Sequence, residues 1–91
     1  MITSAACRTI VNNENVIIKV HRHCDFYEIM KLLHCQYDKN KVEQGFIDWD
    51  GKEERFVSRQ EAAQIALKCN QILPRMMDEF DPNCLFSEDI Y

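Results

Sequence analysis

Glycine is almost absent from this chain, with two residues in 91, so no glycine-rich loop can cradle a phosphate in its backbone. Neither H-E-x-x-H nor G-x-S-x-G occurs, which removes the usual zinc-protease and serine-hydrolase signatures. No apolar run exceeds a few residues, and Met1-Ile2-Thr3 lacks the basic start and long apolar stretch of a secretion signal. No membrane partner is expected, and the cytoplasm is the expected location. Five cysteines, Cys7, Cys24, Cys35, Cys69 and Cys84, form an odd and scattered set without any C-x-x-C, which fits reduced thiols better than a disulfide framework. The last absence is of positive charge. All 11 basic residues lie between Met1 and Met77, whereas Asp78 to Tyr91 holds five of the 15 acids and no base. A near-neutral body with an acidic tail has no basic face with which to displace counterions from a nucleic-acid backbone, so a DNA or RNA partner is not expected. A small anionic ligand remains open.

What is present is an ordinary globular composition, 46% apolar and 29% charged, in one domain spanning residues 1–91. A domain this short buries only about 60–65% of its unfolded surface, so a further apolar face is expected to be covered by another copy of the chain. Ile2 to Val11 reads as a strand, Asn12 to Asn15 as a polar turn and Val16 to Val20 as its antiparallel partner. Asp25 with Glu28 fits a capping box, and Phe26, Ile29, Met30 and Leu33 at helical spacing give a helix over Phe26 to Cys35. Gln36 to Glu43 is a connection. Gly45 to Trp49 and Arg55 to Val57, joined through Asp50-Gly51, form a second hairpin. Ser58 and Glu61 give a second capping box, opening a helix with Ala62, Ile65, Ala66 and Cys69 along one stripe and an end near Asn70. Apolar residues scattered through the acidic tail call for docking. The expected fold is α+β: a small antiparallel sheet of two hairpins with two helices, in the order β-β-α-β-β-α, and a docked tail.

Several residues carry chemistry, each with a plain structural alternative. His21 and His23 share a face of an extended segment and, with His34 or Cys35, would supply zinc ligands, although the spacing matches no common module. A cysteine beside these histidines would serve as a nucleophile only if the fold turned the two side chains together. Arg22 lies just before the first helix, where its guanidinium fork and the free N–H groups suit a phosphate; the alternative is a surface arginine paired with a carboxylate. Phe46, Trp49 and Phe56 beside Arg55, Arg59 and Ser58 suit a nucleotide, the base stacking and the phosphates taking charge-assisted bonds. Equally, Ile47, Trp49, Phe56 and Val57 suit the core of a half-buried hairpin. Arg75 adds another candidate cation.

The stretches Gln44-Gly45-Phe46-Ile47, Arg55-Phe56-Val57-Ser58-Arg59-Gln60-Glu61-Ala62-Ala63-Gln64-Ile65-Ala66, Asn70-Gln71-Ile72 and Leu85-Phe86-Ser87-Glu88-Asp89-Ile90-Tyr91 form an ordered set. Together with the Ala5-Ala6 strand and Arg22-His23, this set resembles small phage-encoded proteins that include the first-described anti-Thoeris sponges. The resemblance implies a phage anti-defence protein that sequesters, without turnover, a cyclic ADP-ribose isomer used as an immune signal, with some members also holding cyclic oligonucleotides. It implies no cofactor and no catalytic residue, and a homo-oligomer, either a dimer or a dimer-based hexamer, with ligand held between subunits. It further implies that Phe46 stacks on the base and that Arg22 and Arg75 bind the ligand, with Ser58 and Arg59 beside them. The chain departs from the pattern in a longer loop between Trp49 and Arg55, Ser58 in place of Asn or Asp, and Asn70 in place of Gly. Serine still caps a helix, and asparagine tolerates the left-handed conformation of a helix end. A cyclic ADP-ribose isomer has roughly 35 non-hydrogen atoms, which at about −0.3 kcal/mol each allows binding near −10 kcal/mol. Two other functions compete: an acidic inhibitor that docks Asp78 to Asp89 on a basic host protein, and an enzyme that degrades the signal.

Overall fold

The computed structural model describes all of residues 1–91. Strands β1 (Ile2–Val11) and β2 (Glu14–Val20) pair in antiparallel register from Val11↔Glu14 to Ala5↔Val20, so the turn is only Asn12-Asn13 and β2 starts two residues before the expected Val16. Both asparagines have positive φ, 52° and 65°, as a two-residue hairpin turn of the right twist requires. Helix α1 spans Asp25–Leu32, and strands β3 (Glu43–Trp49) and β4 (Glu54–Ser58) form the second hairpin. Helix α2 runs over Arg59–Lys68. The sheet order is β2-β1-β3-β4 with every pairing antiparallel, giving the α+β architecture expected from the sequence.

Both helices stop where a side chain can adopt the left-handed conformation. His34, φ 54°, ends α1 three residues short of the predicted boundary, and the Cys35 N–H donates back to the Met30 carbonyl at 3.1 Å. Asn70, φ 55°, ends α2 in the same way, with Gln71 N–H donating to Ala66 at 2.9 Å. Asparagine therefore does here what the more usual glycine would do.

The core lies between one face of the sheet and the helices. Phe46 sits at its centre, register-paired with Ala5 and Val57, and packs in one cluster with Phe26, Met30, the three alanines Ala62, Ala63 and Ala66, and Leu85. Alternation along the strands sends Ala6 and Ile47 to the opposite face, where they are buried outside this cluster. The half-buried Phe56 lies on that face, with the Arg8 guanidinium 4.5 Å from its ring centre. Of the hairpin residues read as core, Ile47 and Val57 are buried, Phe56 only in part, and Trp49 is exposed. The tail docks as its apolar content demanded. Leu85 is buried, its N–H donates to the Arg59 carbonyl at 3.0 Å, Leu73 N–H donates to the Asp89 carbonyl at 2.8 Å, and the Ala5 N–H donates to the Tyr91 hydroxyl at 3.0 Å.

Gly45 is the tightest point of the sheet. A Cβ there would stand 2.3 Å from the Val57 carbonyl oxygen and 2.5 Å from Cζ of Phe56. The first neighbour is main chain and cannot swing aside, so Gly45→Ala is expected to lower stability by about 1–3 kcal/mol, the usual cost of overpacking. Urea denaturation measures this, and an unchanged midpoint would show that the strand pairing yields more easily than its geometry allows.

Candidate functional site

Three irregular segments converge at one end of the core: the turn between β2 and α1, the first residue of α2, and the tail. In the turn, the Asp25 carboxylate does not join Glu28 in a capping box; it accepts the main-chain N–H of Arg22 at 3.1 Å, while Asp25 N–H donates to the Arg22 carbonyl at 3.0 Å. Cys24, at the helix cap, gives no side-chain bond to the helix N–H groups; its thiol lies 4.0 Å from Oδ1 of Asp25. This closed turn fixes Arg22. Its Nη2 donates to the main-chain oxygen of Tyr91 at 2.9 Å, and its guanidinium lies 5.2 Å from the Tyr91 ring centre, a ring that stacks on His21 at 4.4 Å.

Arg59 is positioned by the helix start. The Ser58 hydroxyl accepts the Glu61 N–H at 3.2 Å, the predicted cap, but the Glu61 carboxylate pairs with Arg55 at 3.0 Å instead of reaching back. The guanidinium of Arg59 lies 5.1 Å from the Phe86 ring centre, and its Nη2 donates to Nδ1 of His23 at 3.1 Å. Since a guanidinium can only donate, Nδ1 is the acceptor and the proton of the neutral ring sits on Nε2, which donates to the Gly45 carbonyl at 2.7 Å. The His23 pKa is depressed, first by burial; the Gly45 bond and Glu88 pull it upward and the Arg59 charge pushes it further down.

Between these segments lies a cavity of about 150 Å³, walled by Arg22, His23 and Cys24 on one side and by Arg59, Phe86 and Glu88 on the other. Nη1 of Arg22 and Nε of Arg59 are buried without any hydrogen-bond partner. An unsatisfied buried donor costs about 1–3 kcal/mol, and more when it belongs to a charged group. Two such donors beside one small cavity offer charge-assisted bonds to an anion.

The structure brings Arg22 and Arg59 together and separates the other predicted site residues from them. Phe46 is wholly buried in the core and meets the His23 ring edge-on at 5.0 Å, so stacking on a base would require opening the core. Arg75 is exposed on the short turn Pro74–Met76 and does not line the cavity. Ser58 is exposed, and its hydroxyl serves the helix. Arg55 is occupied by Asp48 at 3.2 Å and by Glu61. Phe86, Glu88 and His23 were not read from the sequence as parts of an anion site. Phe86 follows buried Leu85 in a segment without periodicity, where nothing local tells a docked aromatic from a cavity wall. No group of three or more His, Cys, Asp or Glu side chains is placed to hold a metal ion. Burial pushes the Cys7 thiol up to about 11, leaving it protonated at neutral pH. No helix is long and apolar enough to cross a membrane.

A family model described as Phage T4 y16D protein matches residues 1–91. No curated protein and no solved structure matches the chain.

Because His23 is held neutral, the unfolded chain binds its proton more readily than the folded one. His23 therefore contributes stability above its ordinary value of 6.5, and that contribution is lost as pH falls below it. Thermal melts of the wild type should accordingly show a decline entering below about pH 6.5, and His23→Asn, which cannot titrate, should lack that component. Parallel pH profiles for the two proteins would contradict the assignment.

Proposed function

The chain belongs to the phage T4 y16D protein family, and on that premise we propose that it is an anti-defence sponge that binds and sequesters a cyclic ADP-ribose isomer without turning it over. The observation that carries this reading is the pair of buried, partnerless arginine donors, Arg22 Nη1 and Arg59 Nε, beside one cavity. A phosphate satisfies both at once. Phe86, 44% exposed with Arg59 against its ring, takes over from Phe46 as the aromatic surface offered to a base.

The resemblance to anti-Thoeris sponges points to the ligand class, and the small size of the cavity argues for an assembly. Sites that enclose a whole ligand of this size run to roughly 300–1,000 Å³. One chain therefore holds a phosphate-bearing part of the ligand, and a second copy closes over the rest. Ile10, Ile17, Leu32, Leu33 and Trp49 are exposed apolar residues that do not line the cavity, whereas the exposed Phe86 does. Binding in place of chemistry is supported by the engagement of both His23 ring nitrogens, which leaves the imidazole no free nitrogen to act as a base; the base left on the wall is the Glu88 carboxylate. The competing reading, an acidic tail that docks on a host protein, loses strength because Asp89 is buried and its carboxylate accepts the Phe86 N–H at 2.8 Å.

Calorimetry of the purified protein with cyclic ADP-ribose isomers and cyclic oligonucleotides tests this. Arg22→Ala and Arg59→Ala should each weaken binding about 10- to 100-fold, the loss of one or two charge-assisted hydrogen bonds, while Arg75→Ala should leave it unchanged. Ligand released by denaturation should return chemically intact. Absence of binding by any of these ligands would end the proposal.

A further inference from the structure

We infer that His23 is the positioning residue of the anion site: its neutral ring holds Arg59 in place, so that anion binding is switched off by acid. The consequence for binding rests on the reading given under Proposed function, but the His23–Arg59 coupling is a property of the ligand-free protein.

Few positions are open to the Arg59 guanidinium. Its Nη2 is spent on His23 Nδ1 at 3.1 Å and its plane lies against Phe86, which leaves Nε buried and aimed at no protein acceptor. Nδ1 of His23 is thus what orients Arg59. The other ring nitrogen cannot share that task, since Nε2–H is fixed on the Gly45 carbonyl at 2.7 Å.

His23 is buried, and it has no room to accommodate a second proton by turning. One edge of the ring is tied to β3 through Gly45, and Phe46 meets it at 90°. The charged and titratable groups around it are few. Arg59 faces it from α2, Glu88 lies across the cavity on the tail, and the buried Cys7 thiol of β1 sits 4.0 Å from its carbonyl oxygen. Arg22 and Cys24 are its chain neighbours. Protonated Nδ1 becomes a donor that points at another donor, with two cations at contact distance. The ring cannot leave, so Arg59 must. With Arg59 displaced, Arg22 alone remains to bind the anion.

Only the neutral form then binds as a complete site, and the apparent affinity scales with its fraction. One pH unit below the His23 midpoint the dissociation constant should rise about tenfold. Sulfate is the suitable probe because its charge is constant between pH 5 and 8.

The decisive measurement is an NMR titration of the ¹⁵N-labelled full chain over that range, without and with sulfate. Without sulfate, the His23 ring signals should report the Nε2–H tautomer at pH 8, and the Arg59 Nε–H signal should move with the same midpoint as His23. With sulfate, binding should weaken through that midpoint in the wild type. His23→Asn keeps a short acceptor for Arg59 and cannot titrate, so its sulfate affinity should stay flat with pH. An Arg59 signal that ignores the His23 midpoint overturns the proposal, as does sulfate binding that is flat or tighter in acid. Failure of sulfate to bind at pH 8 counts against the anion site itself, and the ligand-free spectra still decide whether His23 governs Arg59. If His23→Asn proves unfolded by circular dichroism, the wild-type signals alone decide the question.

Discussion

The close seating of helix α2 on the sheet governs the rest of the molecule. Ala62, Ala63 and Ala66 present methyl groups where larger side chains would stand the helix away, and Ala5 keeps the sheet beneath it low. Packing this close keeps water out from beneath the helix, so polar groups at its start depend on protein partners, and Nε of Arg59 is left without one. Arg59 is the first residue of α2, and its carbonyl receives the Leu85 N–H. The helix therefore delivers a guanidinium to the end of β2, where His23 waits, and a main-chain acceptor to the tail. One packing distance thus positions the helix, the tail and the cavity between them.

Electrostatics at this end of the core run against stability. Two guanidinium groups face one small cavity, each with a buried donor that has no partner, and a histidine is kept from its proton beside them. Over the sheet three pairs of charges are matched: Asp48 with Arg55, Glu43 with Arg8, Glu54 with Lys19. A fold that pairs its charges over the sheet and leaves them unpaired at one cavity concentrates unused hydrogen-bonding capacity there, a pattern that goes with binding sites. The tail is what maintains it. Tyr91 takes one bond from Arg22 and shares the ring stack with His21, and Phe86 lies against Arg59, so each cation has an aromatic ring beside it.

Much of the fold was legible in the sequence because its elements obey one rule each. Small, apolar and β-branched residues marked β1, a strand pattern ahead of the Asp50-Gly51 turn marked β3, the Ser58 cap marked the start of α2, and Asn70 marked its end. Where boundaries moved, a competing local interaction was stronger. The left-handed His34 ended α1 early, and the Asp25 carboxylate preferred the Arg22 N–H to a helix cap. The site was legible only in its cations. Arg22 was found because it precedes a helix, and Arg59 because it stands in a block of aromatic and charged residues. Their shared cavity depends on a tail that reaches back across the whole chain, at a separation of 69 residues between Arg22 and Tyr91. No spacing rule covers such a contact.

The burial of Phe46 and the exposure of Phe86 follow from the same physics. In the middle of an antiparallel strand, a phenylalanine is flanked by register partners on both sides, here Ala5 and Val57, and by a helix above. All of its surface is therefore committed to packing, and withdrawing it for a ligand would open the core. A phenylalanine in an irregular segment has no partners imposed by a ladder. It can lay one side on a neighbour, as Phe86 does with Arg59, and leave the remainder to the cavity. Periodicity thus identifies the residues least free to bind. In this chain, the side chains that meet around the cavity come from the turn Arg22–Cys24, the helix start at Arg59 and the segment Phe86–Glu88, all of them outside the strands and set on a scaffold rigid enough to hold them.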